Sequence, residues 1–175
     1  MIIDIRVSIL SAEEAASMES HISMEEIEMA VWSCEGSKPG PDGLNFNFIK
    51  KFWPVLKDAF FKAVARLEST GRLSMGCNAS FLALIPKKRD PLLIDDFRPI
   101  SLLDCFYKII GKILAARLAK VLDKVISPNQ SAFIQRRQIL DGNLIANEIV
   151  NFASKKGMEL MLFKADFAKA FDSVN

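Results

Sequence analysis

Two carboxylates near the carboxyl end, Asp166 and Asp172, are the residues best suited to chemistry; both lie in the stretch KADFAKAFDSVN from Lys164 to Asn175. Asp166 follows the short apolar run Leu160–Phe163, a strand candidate. A carboxylate leaving the end of a buried strand is well placed to hold a divalent ion, and Mg²⁺ prefers hard oxygen ligands. Two such ions can activate a hydroxyl nucleophile and stabilise a departing pyrophosphate. On spacing alone, a helix cap at Asp166 and a surface acid at Asp172 are the commoner uses of such residues.

Cations supply the second chemical theme. Residues 1–35 carry eight acidic side chains and one basic, or −7, whereas residues 36–175 carry twenty-two basic and thirteen acidic, or +9. A basic body fits a polyanionic partner, because each phosphate neutralised by Lys or Arg releases counterions; a lysine-rich solvated surface gives the same count. Arg98 follows Asp95 and Asp96, so a surface salt bridge competes with any anion-binding role. Cys34, Cys77 and Cys105 are scattered and His21 is the single histidine, which argues against a zinc site and for three reduced thiols in an intracellular protein. No apolar run approaches the ~20 residues of a membrane span. The opening MIIDIRVSIL, interrupted by Asp4 and Arg6, does not read as a secretory signal.

The elements that must position these groups follow from caps, breakers and periodicity. Ser23 with Glu26 forms a capping box that opens a helix burying Ile27, Ala30 and Val31, with Trp32 beside them. The cluster SKPGPDG, residues 37–43, breaks the chain sharply. A second helical run covers about 47–70, is divided near Trp53 by Pro54 and stops at Gly71. Ser80–Pro86 (SFLALIP) reads as a buried strand and Pro99–Leu103 as its hairpin partner across a charged loop. Asp104 caps a helix predicted to reach about Val125, with Ile109, Ile110, Ile113, Leu114, Leu118, Val121 and Leu122 inward. Its outward residues are Lys108, Lys112, Arg117, Lys120 and Lys124. After a polar connection, Ser127–Arg137, another helix runs from about Gln138 to Lys156 and ends at Gly157. Helices first, then a hairpin, two helices and a strand make an α+β order rather than alternating βαβ units.

Five motifs in one order carry a family resemblance over about Glu25 to Asn175. KADFAKAFDSV resembles the first catalytic-aspartate motif of reverse transcriptases of plant non-LTR (LINE-type) retrotransposons. FLALIPK (Phe81–Lys87) and DFRPISL (Asp96–Leu102) resemble the fingers hairpin of that family. YKIIGKILAARL (Tyr107–Leu118) resembles the helix after the hairpin, and SPNQSAFIQRRQILDG (Ser127–Gly142) the segment along the template. PGPDG (Pro39–Gly43) and the preceding EEIEMAVWSC resemble the entry to the polymerase region. Ala168 departs from the acidic or polar residue usual at its place.

The resemblance implies an α+β fold: the fingers subdomain and the beginning of the palm of a right-hand polymerase, truncated. It divides the chain into an unassigned segment, 1–22, a helical region, 23–78, and the start of the polymerase domain, 79–175. It implies an RNA-directed DNA polymerase, a nucleotidyltransferase using Mg²⁺, with Asp166 as catalytic metal ligand and the Phe167 carbonyl as a further ligand. Arg98 and Lys87 (with Lys88 and Arg89 as adjacent alternatives) would reach the triphosphate of a dNTP, and Phe171 would exclude a ribose 2′-hydroxyl. Asp172 would cap or pair rather than bind metal. Gln130, Phe133 and Arg136 would lie near the RNA template, since interleaved basic and aromatic groups suit a single strand. The implied partners are RNA template, DNA primer and dNTP, with no membrane and no statement of oligomeric state; the implied setting is intracellular, compatible with the nucleus. The aromatic-Ala-Asp-Asp motif, primer grip and thumb do not follow, so the expectation is an inactive fragment. The competing expectation is a non-catalytic RNA-binding or interaction module.

Overall fold

The computed structural model describes residues 9–36, 39–73, 76–77 and 79–166. They divide into two compact units, residues 1–125 and 126–175. The first unit holds α1 (Ala12–Glu19), α2 (Met24–Ser33), α3 (Phe46–Lys51), α4 (Trp53–Thr70), the hairpin β1 (Ser80–Pro86) and β2 (Phe97–Leu103), α5 (Cys105–Ala119) and the single turn α6 (Leu122–Val125). The second unit holds α7 (Ile139–Lys156).

Local signals explain most element ends. The Ser23 hydroxyl accepts from the Glu26 amide at 3.2 Å and the Glu26 carboxylate accepts from the Ser23 amide at 3.0 Å, completing the expected capping box. The α3–α4 break falls at Phe52, with Pro54 in the first turn of α4, where its missing N–H costs nothing. Gly71 and Gly157 end α4 and α7 at φ 63° and 64°, in the left-handed region that glycine enters freely. The Asp104 carboxylate caps α5 by accepting from the Tyr107 amide at 2.7 Å.

The first unit's core forms where α2, α3, α4 and the start of α5 meet, around Ile27, Val31, Ile49, Val64, Cys105 and Ile109. Trp53, Phe60 and Phe106 make a chain of tilted rings, 5.9 and 6.1 Å between centroids. The Trp53 indole N–H donates to Glu28 at 3.1 Å, which satisfies the polar end of a buried ring. The PGPDG turn is held by Gly43 N–H donating to the Gly40 carbonyl at 3.1 Å and Leu44 N–H to the Asp42 carboxylate at 3.1 Å. It packs against the hairpin exit: a Cβ on Gly40 would stand 2.7 Å from the Leu103 carbonyl oxygen and 2.9 Å from Asp104 Cα. The turn therefore needs glycine at 40 and braces the β2–α5 junction.

Five expectations need correction. First, residues assigned to no element contain α1, opened by a second capping box, Ser11 with Glu14; the pattern matches the one at Ser23 and could have been read. Second, the hairpin exists in antiparallel register, Ile85 opposite Arg98, but β1 is not buried: Phe81 and Leu82 are 63% and 64% exposed. An apolar run shows that a strand wants cover without naming the cover. Third, the helix begun at Asp104 ends at Ala119. Lys120 and Val121 donate three residues back, to Arg117 and Leu118, and this tighter turn separates α5 from α6. Fourth, Arg117 is buried, whereas Leu114 and Leu118 are exposed. The buried stripe takes every fourth residue, Cys105, Ile109, Ile113, Arg117 and Val121, and Arg117 continues it. Fifth, Leu160–Phe163 is exposed and forms no strand among the described residues, because a strand exists only by pairing its backbone.

Candidate functional site

The hairpin carries the first group of candidates. Directly opposed residues share a face of the sheet, so the register puts Ile85 and Arg98 on one side, with Lys87 and Asp96 just beyond the strand ends. The ladder runs one step beyond the strands, with Lys87 N–H donating to the Asp96 carbonyl at 2.7 Å. Lys87 and Arg98 thus lie at the same end of the hairpin. Both are exposed.

The loop between the strands is organised by Asp96. Its carboxylate accepts from the amides of Leu92 and Leu93 at 2.9 and 3.0 Å and pairs with the Lys88 ammonium at 2.9 Å. The Leu93 amide and the Lys88 ammonium, with the Leu92 amide behind them, hold its carboxyl below the usual carboxylate range. Of the two carboxylates expected to compete for Arg98, Asp95 and Asp96, the latter is thus engaged with Lys88 and the loop backbone. The Lys87 ammonium donates to the Asp95 carbonyl at 2.7 Å. Sequence reasoning counted Asp96 only as a rival partner for Arg98 and missed this organising role; the spacing from Asp96 back to Leu92 and Leu93 was the available signal.

The second group lies in the other unit. Residues 126–138 form successive turns gathered by Arg137, whose guanidinium donates to the carbonyls of Ser127 at 2.6 Å, Gln130 at 2.8 Å and Ile126 at 3.2 Å. Within these turns Phe133 and Arg136 adopt φ 64° and 68°, a left-handed conformation that costs a non-glycine residue roughly 1–2 kcal/mol. The Phe133 ring is 98% exposed. Arg136 is exposed as well. Gln130 turns back, its amide donating to the Ala132 carbonyl at 3.1 Å. Asp166 is an exposed residue outside any helix or strand, the last of the described chain. Phe167, Phe171 and Asp172 lie outside the described residues.

A carboxylate is the right donor type for a hard cation such as Mg²⁺. No group of three or more His, Cys, Asp or Glu side chains suited to a metal occurs among the described residues. Among the described residues Asp166 is a single exposed carboxylate.

The largest polar structure in the first unit was absent from the candidates. Arg117 donates from Nε and Nη2 to the Glu26 carboxylate, at 2.8 and 2.7 Å, and to the carbonyls of Met18, Ser20 and His21 at 3.0, 2.5 and 3.1 Å. Every N–H of the guanidinium has an acceptor. The Arg117 hydrogen bonds are the largest cause that pulls the Glu26 carboxyl down to about 2. The same carboxylate closes the α2 capping box, so one residue starts α2 and ties it to α5. Lys124 pairs with Glu14 in the same region. Part of the acidic amino-terminal segment is thus neutralised by the basic body.

Residues 85–175 match the family described as reverse transcriptase (RNA-dependent DNA polymerase). The chain is 34% identical over 95% of its length to the Transposon TX1 uncharacterized 149 kDa protein of Xenopus laevis, covering 13% of that protein. It is 26% identical over 91% of its length to the retrovirus-related Pol polyprotein from type-1 retrotransposable element R1 of Bradysia coprophila, covering 16% of it. It is 25% identical over 88% of its length to the Pol polyprotein from type-1 retrotransposable element R2 of Popillia japonica, covering 21%. These relatives are proteins of non-LTR elements. No helix among the described residues is long and apolar enough to cross a membrane.

Proposed function

Given that this chain belongs to the reverse transcriptase family, we propose that it forms the fingers and the start of the palm of a non-LTR RNA-directed DNA polymerase. The observation that carries this reading is that the family match starts within β1 and runs through the hairpin, α5, the 126–138 turns, α7 and Asp166. The parts of the proposed site thus occur in a single matched stretch.

In this reading Arg98 meets the triphosphate of an incoming dNTP, since a guanidinium presents paired donors to phosphate oxygens and stays charged. Its exposure on the hairpin, with Asp96 committed to the loop, supports that role. Lys87 joins it from the same end of the hairpin; an ammonium has three donors and can hold the Asp95 carbonyl while meeting phosphate. Phe133 stacks on a template base and Arg136 meets template phosphate. Strain at both residues is supporting evidence, because left-handed side chains persist mainly where function rewards their direction. Phe171 contributes the steric filter against a ribose 2′-hydroxyl. A divalent ion, Mg²⁺ in this proposal, would neutralise charge on the transferring phosphate, and Asp166 supplies one ligand towards it.

The test grafts this chain in place of the matching stretch of an active non-LTR polymerase. Arg98→Ala should raise the apparent KM for dNTP and lower the rate. The loss of a charge-assisted contact is roughly 1.5–3 kcal/mol, about tenfold to a hundredfold. An unchanged KM would count against the hairpin as the triphosphate site.

A further inference from the structure

A groove of about 710 Å³ lies between the carboxyl end of α2 and one face of α5, and no hairpin residue lines it. Its wall on α5 is Lys108 and Lys112, one helical turn apart, and its floor is Gly111 and Ala115. Cys34 and Glu35 form the opposite side. Lys50 adds a third ammonium nearby, anchored on the Cys34 and Trp32 carbonyls at 2.6 and 3.2 Å. Burial raises the Cys34 thiol pKa, and Lys112, Lys50 and Lys108 all pull it back, so the three cations converge on this end of the groove.

Two properties identify the occupant. The first is charge: two ammonium groups, Lys108 and Lys112, and one carboxylate, Glu35, line the groove, with the Lys50 ammonium close to Cys34. The N-cap Asp104 also attracts Lys108. Neither Lys108 nor Lys112 has an ion-pair partner within 4 Å among the described residues. The second is access: a Cβ at Gly111 would meet nothing within 4 Å, so a bound chain can approach the α5 backbone closely between the two lysines. Cations a turn apart above an open glycine floor suit a repeating phosphodiester better than an acidic helix, whose own side chains would need that space.

We propose that the α2–α5 groove binds the phosphodiester backbone of single-stranded RNA through Lys108 and Lys112, as a contact separate from the hairpin. The proposal rests on the nucleic-acid reading above.

The experiment measures binding of a fluorescein-labelled single-stranded RNA oligonucleotide to the full chain between ~50 and ~200 mM salt. The double variant Lys108→Gln/Lys112→Gln should lose about tenfold in affinity at low salt. It should also flatten the salt dependence by roughly 1.4 in log–log slope, as expected for two phosphate contacts on a single strand. Lys155→Gln/Lys156→Gln removes equal charge from the end of α7 and should change affinity less than about twofold. Gly111→Leu fills the floor without altering charge and should weaken binding severalfold while circular dichroism stays unchanged. Equal losses from the two lysine pairs, or a neutral Gly111→Leu, would overturn the groove. Displacement of the RNA by hexaglutamate at equal charge concentration would assign the groove to acidic peptide instead. Loss of all RNA binding in the unmodified chain would defeat the nucleic-acid reading itself, an outcome distinct from RNA binding that ignores the groove variants.

Discussion

The α2–α5 contact and the β1–β2 hairpin use the same kinds of residue to opposite ends. Along α5 and the turn just past it the stripe Cys105, Ile109, Ile113, Arg117 and Val121 is buried, and even the cation in it has every donor satisfied. On the hairpin Phe81, Leu82, Leu84 and Ile85 are as apolar, yet each is at least 45% exposed. Two strands hold each other by seven paired positions, and among the described residues none of their side chains joins the core cluster. The difference separates residues that hold the unit together from residues that present a surface. Charged Arg117 belongs to the first class and apolar Leu82 to the second, the reverse of what residue type suggests.

The largest effect should come from breaking the buried side of this contrast. Arg117→Leu leaves the Glu26 carboxylate and three carbonyls without their donor and should cost roughly 3–5 kcal/mol, read as a drop in the urea midpoint. Arg117→Lys should rescue only part of it, because an ammonium cannot replace a five-donor fork. Stability close to that of the unmodified chain after Arg117→Leu would erase the distinction.

Acid should act on the same contact. Glu26 titrates near 2 when folded, against 4.5 as the ordinary value. A depressed acid stabilises the fold above its unfolded pKa, and that contribution fades as pH falls from about 4.5 towards about 2. The contribution at neutral pH is roughly 3 kcal/mol. Glu26→Gln should flatten the acid limb of a stability-versus-pH curve in that window; an identical limb would show that the contact carries no such linkage.

The smallest effect should come from the hairpin. Leu82→Ser, at a side chain 64% exposed, should move stability by no more than about 0.5 kcal/mol in the same urea titration. A loss above 2 kcal/mol would mean that the hairpin face is covered in solution and belongs with the core.

Sequence reading succeeded where a signal is local. Ser23 with Glu26, Pro54, Gly71, Asp104 and Gly157 each act within a turn or so of backbone, and the elements they bound lie close to where they were expected. It failed where the outcome depends on a distant partner. Arg117 reads as a surface cation until its acceptors, some ninety residues earlier, are brought to it. The runs 81–85 and 160–163 read as covered strands because composition records the wish for cover and not its source. The candidate site was legible mostly through resemblance. Spacing alone said little of Arg98 or Asp166, and nothing of the left-handed turns that expose Phe133 and Arg136.

The most direct test of the family-based site assignment is Asp166→Asn in the grafted polymerase, with dNTP incorporation and template binding measured on the same preparation. The substitution keeps size and removes one anionic oxygen ligand for a hard cation. Incorporation should fall to background while affinity for the RNA template stays within about twofold of the unmodified graft. Full incorporation by the Asn variant would contradict the alignment on which Arg98, Lys87, Phe133 and Arg136 also depend.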